Sequence, residues 1–400
     1  MASVNPVLIV GAGPVGLVAG LRLAQGGVPV VLTEKNTEVQ DDLRASTFHP
    51  PTLEMLDELD LTQGLLDAGL RTDRWQVRLH ETHERAEFDL AVLRNDTRYP
   101  FRLQVEQRVL CALATAMAQR QGRPEIRMGH ELLDLTQSES RVTARIRDAH
   151  GDQYDIDASW VIAADGASSS ARRLLDLPFE GLTYPETTVL VTTHFPFEDF
   201  LPGLSNVNYV WYRGGTFSLL RLPDIWRCSL YADRDESDEQ ALTPDSIEAK
   251  LQRIVAREEA YGVVEIRPYR IHQRILKDYR VGRILFAGDA AHVNSPSGGM
   301  GMNAGIHDAF SLADKLIEVW HGKASEDLLN RYTRQRRPVA EQQILKQSHT
   351  NRTRMQERDP ATRAAELKRL QDIAGDPMSA HEHLLRTSMI AGLRQAEQIQ

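Results

Sequence analysis

Apolar positions cluster early in the chain. A short run, Val7 to Val10, is followed by a stretch from Val15 to Leu23 with apolar residues at helical spacing, then by a second run, Val28 to Leu32. Strand, helix and strand in that order predict a βαβ unit, and the helix-like stretch Arg108 to Arg120 and the strand Trp160 to Ala164 continue the same layered structure. Between Thr187 and Ile275 the texture changes to runs rich in aromatic and β-branched residues: Val207 to Tyr212, Thr216 to Leu222 and Cys228 to Tyr231. These predict a mostly antiparallel sheet. A helix from about Pro244 to Glu259, with Thr243 as its N-cap, interrupts it. From Ser325 onward the chain is polar and helix-forming, divided by Pro338, Pro360 and Pro377. Arg331, Arg334, Arg336 and Arg337, interleaved with Gln and followed by Glu341, predict a solvated helix face.

A length of 400 residues implies two or three structural units, and 42% hydrophobic with 26% charged residues is the make-up of a globular protein. The net charge of -9 argues against nucleic acid or an anionic membrane as partner, both of which need a basic face. A small-molecule partner is expected instead. Cys111 and Cys228 are the two cysteines, too few for a disulfide framework or a thiolate zinc site, and they suit a reducing cytoplasm. The most apolar stretch, Pro6 to Leu21, falls short of the roughly 20 residues that cross a bilayer. Met1 to Asn5 carry no Lys or Arg, so neither a membrane span nor export is expected. The pairs His80 with His83 and His381 with His383 lack a third ligand and are read as exposed polar residues, with no metal.

Three motifs carry chemistry. Gly11-Ala12-Gly13-Pro14-Val15-Gly16 lies between a strand and a helix, where small residues let a pyrophosphate approach the backbone and the helix N-terminus stabilises its charge. Glu34 ends the second strand at the separation expected of a carboxylate that accepts hydrogen bonds from a ribose diol. It would repel a 2′-phosphate, which leaves FAD or NAD as the bound dinucleotide. The second motif is the turn Asp165-Gly166-Ala167-Ser168-Ser169-Ser170-Ala171-Arg172 after an apolar strand. The third runs from Gly288-Asp289-Ala290-Ala291-His292 through Pro296-Ser297-Gly298-Gly299-Met300-Gly301-Met302-Asn303 into a helix reaching about Trp320. Asp289 there sits at a strand end, where ligands of α/β sheets bind, and free amides near Gly301 to Asn303 would stabilise an anion such as reduced flavin.

In this order the motifs resemble the single-component FAD-dependent aromatic hydroxylases typified by p-hydroxybenzoate hydroxylase, over about residues 1 to 325. The resemblance implies an α/β fold: a Rossmann-like FAD-binding domain (1–75, 101–183 and 276–325), an inserted, mostly antiparallel substrate-binding sheet (76–100 and 184–275) and a C-terminal helical segment (326–400). It implies that Gly11, Gly13, Pro14, Gly16 and Glu34 hold the ADP half of FAD with Lys35 flanking the adenosine, and that Asp289 and Gly288 serve the ribityl chain. Pro296, Gly299, Gly301, Met302 and Asn303 then lie by the flavin ring, and Asp165, Gly166 and Arg172 belong to a segment serving both FAD and NAD(P)H. Arg44 and Gln107 look like further flavin contacts. His292 is left out of the catalytic set as a neutral residue satisfying a nearby backbone group.

The activity so implied is hydroxylation of a phenol or hydroxylated N-heteroaromatic by NADH or NADPH and O2 through a flavin C4a-hydroperoxide, with an FAD-dependent reductase of the same fold as the alternative. The substrate pocket is expected between the flavin face near Pro296 and the antiparallel sheet, where His194, Tyr209, Tyr212, Phe217, Arg221 and Tyr231 are available. Tyr209 and Trp211 share one face of their strand, Val210 and Tyr212 the other, so only part of this set can point inward. A tyrosine or histidine would help deprotonate a ring hydroxyl, and Arg221 would hold a substrate carboxylate. A homodimer is the expected assembly.

Overall fold

The computed structural model describes residues 5–39, 45–233, 235–296 and 298–400. A six-stranded sheet runs in the order Arg280–Val281, Ile284–Phe286, Trp160–Ala163, Val7–Val10, Val30–Glu34, Glu125–Met128. Its neighbours are parallel except for the outermost pair, Arg280–Val281 with Ile284–Phe286. Every residue of Val7–Val10 and Trp160–Ala163 is buried, the unbroken apolar run of a strand covered on both faces. Helices Pro14–Gln25, Gln107–Gln121 and Gly301–Trp320 pack into the core that these strands share. That core also takes in an antiparallel meander, Glu131–Gln137, Val142–Arg147 and Gln153–Ala158, which the sequence reading passed over.

The second sheet has eight strands, in the order His292–Val293, Val263–Ile275, Glu180–Thr193, Trp226–Tyr231, Gly215–Arg221, Val207–Tyr212, Arg74–Leu79, Arg85–Asp89. It is antiparallel throughout apart from the parallel pairing of Val207–Tyr212 with Arg74–Leu79. Its edge strand His292–Val293 follows directly on the turn Gly288–Ala290, so one short stretch of chain ends the first sheet and begins the edge of the second. One face of the second sheet packs with helix Pro244–Ile254, whose N-cap is Thr243 as expected, although the helix stops short of Glu259. The other face packs with helices Pro360–Gly375, Pro377–Thr387 and Ile390–Glu397.

Pro360 and Pro377 open their helices, with the side chains of Asp359 and Asp376 accepting from the amides of Thr362 and Ser379. Pro338 divides nothing. It sits inside helix Leu328–Val339, and the chain continues through a π-helical turn, Ala340–Leu345, into helix Lys346–Gln356. The arginine run is not a solvated face either. Arg336 is buried, Arg331 and Arg334 donate to the carbonyls of Ile399 and Gln400, and Arg337 donates to Leu276. Among the described residues no helix is long and apolar enough to cross a membrane, and no group of three or more His, Cys, Asp or Glu is placed to hold a metal.

Candidate active site

The first glycine turn is shaped by contacts a side chain would destroy. A Cβ on Gly16 would lie 1.9 Å from the Gly11 carbonyl oxygen, and one on Gly11, whose φ is +106°, would lie 2.5 Å from that of Ala164. Gly13 differs: a Cβ there would meet nothing within 4 Å. Its open side faces no protein, and helix Pro14–Gln25 begins beside it with no side-chain cap and no acidic residue in its first turn. Such an end is made for an anion. Glu34, 22 residues on, returns to the same place, its carboxylate accepting from the Ala12 amide at 2.9 Å and from Asn36. Lys35 beside it is exposed, and Arg44 lies outside the described residues.

At the end of the neighbouring strand, Asp165 turns one oxygen to the amides of Ser170 and Ala171, and Ser169 caps the same short helix through the Arg172 amide. The other oxygen, Oδ1, is buried and has no protein partner. Arg172 is spent on backbone: its guanidinium donates to the carbonyls of Ala290 and Ala167 and lies over the Phe179 ring at 3.9 Å. It thereby ties the Asp165 turn to the Gly288–Ala290 turn.

Gly288 and Gly305 approach so closely that a Cβ on Gly305 would lie 3.1 Å from the Gly288 Cα. Behind this contact sits Asp308, completely buried, which accepts from the Gly288 amide at 3.1 Å, from His292 Nε2 at 2.7 Å and from Arg336 Nε at 2.7 Å. Burial raises its pKa, but the Arg336 guanidinium and His292 outweigh burial and hold the carboxyl down to about 2. The partner of His292 is therefore a carboxylate rather than the backbone group expected. Asp289, in the same turn, is exposed.

Beyond the exposed Pro296, the amide of Gly299 closes a turn on the Pro296 carbonyl, and helix Gly301–Trp320 starts without a side-chain cap. Asn303 pins this turn in place. Its Nδ2 donates to the carbonyls of Thr47 and Gly299, and its Oδ1 accepts from the His49 amide. His49 Nε2 donates to the Gly298 carbonyl at 2.9 Å, which fixes its tautomer and leaves a buried Nδ1 without a partner. Burial, assisted by the Arg102 guanidinium, pushes its pKa down to about 3, so the ring is neutral.

The turn forms one wall of a partly open pocket, whose 290 Å³ of empty space includes open solvent, lined by Gly298, Met300, Trp75, Tyr209, Arg102, Asn351, Arg354, His383 and Thr387. Three structures meet there. Gly298 and Met300 come from the turn and Trp75 and Tyr209 from the second sheet, while Asn351, Arg354, His383 and Thr387 come from the C-terminal helices. The residues around the glycine turn fit a dinucleotide on their own evidence: an open cradle at Gly13, an uncapped helix end and an orphan acceptor on Asp165.

The family model described as "FAD binding domain" matches residues 5–347. Para-nitrophenol 4-monooxygenase from Pseudomonas sp. (strain WBC-3) is 30% identical over 99% of this chain and 98% of its own length. The chain belongs to the FAD-dependent aromatic hydroxylases. The 6-hydroxy-3-succinoylpyridine 3-monooxygenase of Pseudomonas putida is 31% identical over 84% of this hydroxylase and 85% of the relative. The crystal structure of a p-nitrophenol 4-monooxygenase from Pseudomonas putida superimposes with a TM-score of 0.90 at 32% identity, over 98% of this chain and 99% of that one.

Of the residues expected at the substrate, the hydroxylase brings Tyr209 to the cavity and leaves the others elsewhere. Tyr212 and Phe217 pack together on the opposite face of the sheet, Arg221 pairs with Glu198 at 2.8 Å, and the exposed His194 donates to the Asp224 carbonyl. The strand alternation explains this division, since Tyr209 and Trp211 join one cluster while Val210 and Tyr212 join the other. Tyr231 is outside the cavity lining as well. Gln107 opens helix Gln107–Gln121 and donates its amide to the Ala45 carbonyl. The lining residues that sequence reasoning missed are Trp75, Arg102, Asn351, Arg354, His383 and Thr387. His383, read as exposed, is half-buried and stacked on Phe88 at 4.6 Å.

Proposed function

We propose that this hydroxylase acts on a small phenol or hydroxylated N-heteroaromatic, using NADH or NADPH and O2, and that the substrate lies in the cavity between the Gly298–Met300 turn and Trp75 with Tyr209. The observation that carries the reading is the cavity's double ownership: one wall is the segment assigned to the flavin ring and the other is the second sheet. Bound FAD supplies hydride acceptance and oxygen activation. We assign the pyrophosphate to the open side of Gly13 and the helix end behind it, with Gly11 and Gly16 fixing the turn and Glu34 and Lys35 the adenosine end. Asp289 is assigned to the ribityl chain and the uncapped start of helix Gly301–Trp320 to the flavin ring, where its amides would stabilise negative charge. Asn303 acts at one remove, by holding the turn. Trp75, Met300 and the stacked His383 exclude water from the reacting ring.

Both thiols, Cys111 and Cys228, are buried and in no disulfide, which suits a reducing cytoplasm where NAD(P)H is available. A size measurement on the purified protein decides the expected homodimer. The functional test is NAD(P)H oxidation by the yellow protein under air, across hydroxybenzoates, nitrophenols and hydroxypyridines, with product masses. A ligand that accelerates oxidation and gains one oxygen names the substrate class. Oxidation that yields only unmodified ligand and peroxide across the whole panel would favour the reductase.

A further inference from the structure

The cavity is rich in hydrogen-bond donors that the protein itself leaves unanswered. Arg102 is 3% exposed; its guanidinium lies over the Trp75 ring at 5.2 Å and has as hydrogen-bond partners a long bond to the Thr387 carbonyl, 3.4 Å, and the Tyr209 hydroxyl, while its Nε has none among the described residues. Nε of Arg354 and Nε1 of Trp75 are likewise buried without an acceptor. Among the described residues no carboxylate lines the pocket. The groups facing Arg102 are Tyr209 and the neutral His49, and those facing Arg354 are Tyr209, Arg369 and Glu366. Glu366 is engaged by both bonds of a two-pronged pair with Arg369. His383 faces Arg354, Arg386, Arg369 and Arg102, and burial together with these cations pushes its pKa down to about 4. It brings no positive charge at neutral pH, and its Nε2 is also without a partner.

A buried guanidinium left short of acceptors loses the hydration of its charge, and the deficit is made good by an anion that enters with the ligand. On the reading that this cavity is the substrate site, we propose that it selects aromatics already ionised as monoanions, with the anionic oxygen held by Arg102 and Trp75 Nε1 and the outer charge balanced by Arg354. The enzyme then needs no protein base to form a phenolate: phenols made acidic by electron-withdrawing substituents arrive as the reactive anion. Among ring compounds of one shape, charge is what the site reads.

Binding to the FAD-loaded enzyme, without NAD(P)H, tests this independently of turnover. The probe is 4-nitrophenol, whose anion has its own visible absorption band, against the neutral isostere 4-nitroaniline. The expected result is that bound nitrophenol stays ionised below the pH at which it protonates in free solution, and that the anion binds about ten- to a hundredfold more tightly than the isostere. Arg102→Gln should erase that preference, leaving affinity for nitroaniline and FAD content unchanged. If Arg102→Gln does not fold, Arg354→Gln should narrow the preference in the same direction. Equal affinities for the two probes, nitrophenol bound in its protonated form, or a variant that weakens both probes alike would overturn the proposal. Anion-selective binding without oxygen insertion would sink the functional reading and leave this one standing.

Discussion

Asp308 shows how one carboxylate organises a ligand turn it does not itself line. It is fully buried, and its two oxygens receive the Gly288 amide, His292 and Arg336, joining the third motif to a helix whose Arg336 lies 28 residues beyond Asp308 itself. Because its pKa falls from 3.8 unfolded to about 2 folded, the unfolded chain takes up a proton first as the pH drops. Stability from this group is therefore fully present above about pH 5 and is lost progressively from there to about pH 2, by roughly 2 kcal/mol. Asp308→Asn should lose about 3–5 kcal/mol at pH 7, because Arg336 is left buried without its counter-charge. In urea unfolding across that acid window, the gap between variant and parent should narrow by roughly 2 kcal/mol. A gap that stays constant down to pH 2 would show that Asp308 is not ionised in the folded protein.

The glycine turn separates two duties that a sequence pattern merges. Gly16 is required by the protein: its Cβ would overlap the Gly11 carbonyl oxygen, so Gly16→Ala should destabilise the FAD-free chain by about 1–3 kcal/mol. Gly13 has ordinary dihedrals, φ -71° and ψ 178°, and open space, so Gly13→Ala should leave that stability unchanged or slightly raised. It should lower FAD affinity roughly ten- to a hundredfold by obstructing the pyrophosphate. Flavin fluorescence titration with thermal unfolding of the FAD-free chain reads both; equal FAD affinity for parent and Gly13→Ala would remove Gly13 from the cofactor site. At this scale the sequence was legible wherever an element is local. Val7–Val10 and Val207–Tyr212 coincide with their expected bounds, and the three motifs stand at strand ends and helix starts as their spacing requires. The meander 131–158 went unread although Val142–Arg147 alternates buried and outward residues, because three outward positions are Thr or Arg and the apolar signal is diluted. The cavity was half legible. Strand parity assigned Tyr209 to one face and Tyr212 to the other, but nothing local tells which face meets the flavin segment. Arg102 and His383 enter only through pairings hundreds of residues apart.

The C-terminal helices are where the whole molecule differs most from a polar tail laid on a finished enzyme. They cover the face of the second sheet that holds Trp75, Phe88 and Trp211, and they supply Asn351, Arg354, His383 and Thr387 to the cavity. Their attachment depends on a few long-range clamps. Arg363, 4% exposed, donates to the carbonyls of Glu357, Tyr212 and Gly215 at 2.6, 2.6 and 2.7 Å, fastening helix Pro360–Gly375 to the hairpin turn of the sheet. None of these atoms touches the cavity or the glycine turn. Removing the guanidinium leaves three carbonyls short of a donor and should cost about 2–4 kcal/mol. Since the clamp holds the outer wall of the cavity but not the dinucleotide half, Arg363→Ala should retain FAD and bind NAD(P)H with nearly unchanged KM. The KM for the aromatic substrate should rise, and more NADPH or NADH should be consumed per product as water reaches the reacting ring. The coupling ratio is the decisive quantity. If it matches the parent while the variant shows the predicted loss of stability, the helices stabilise the sheet without shaping the chemistry, and the cavity's specificity must be sought on the sheet side, at Trp75, Arg102 and Tyr209.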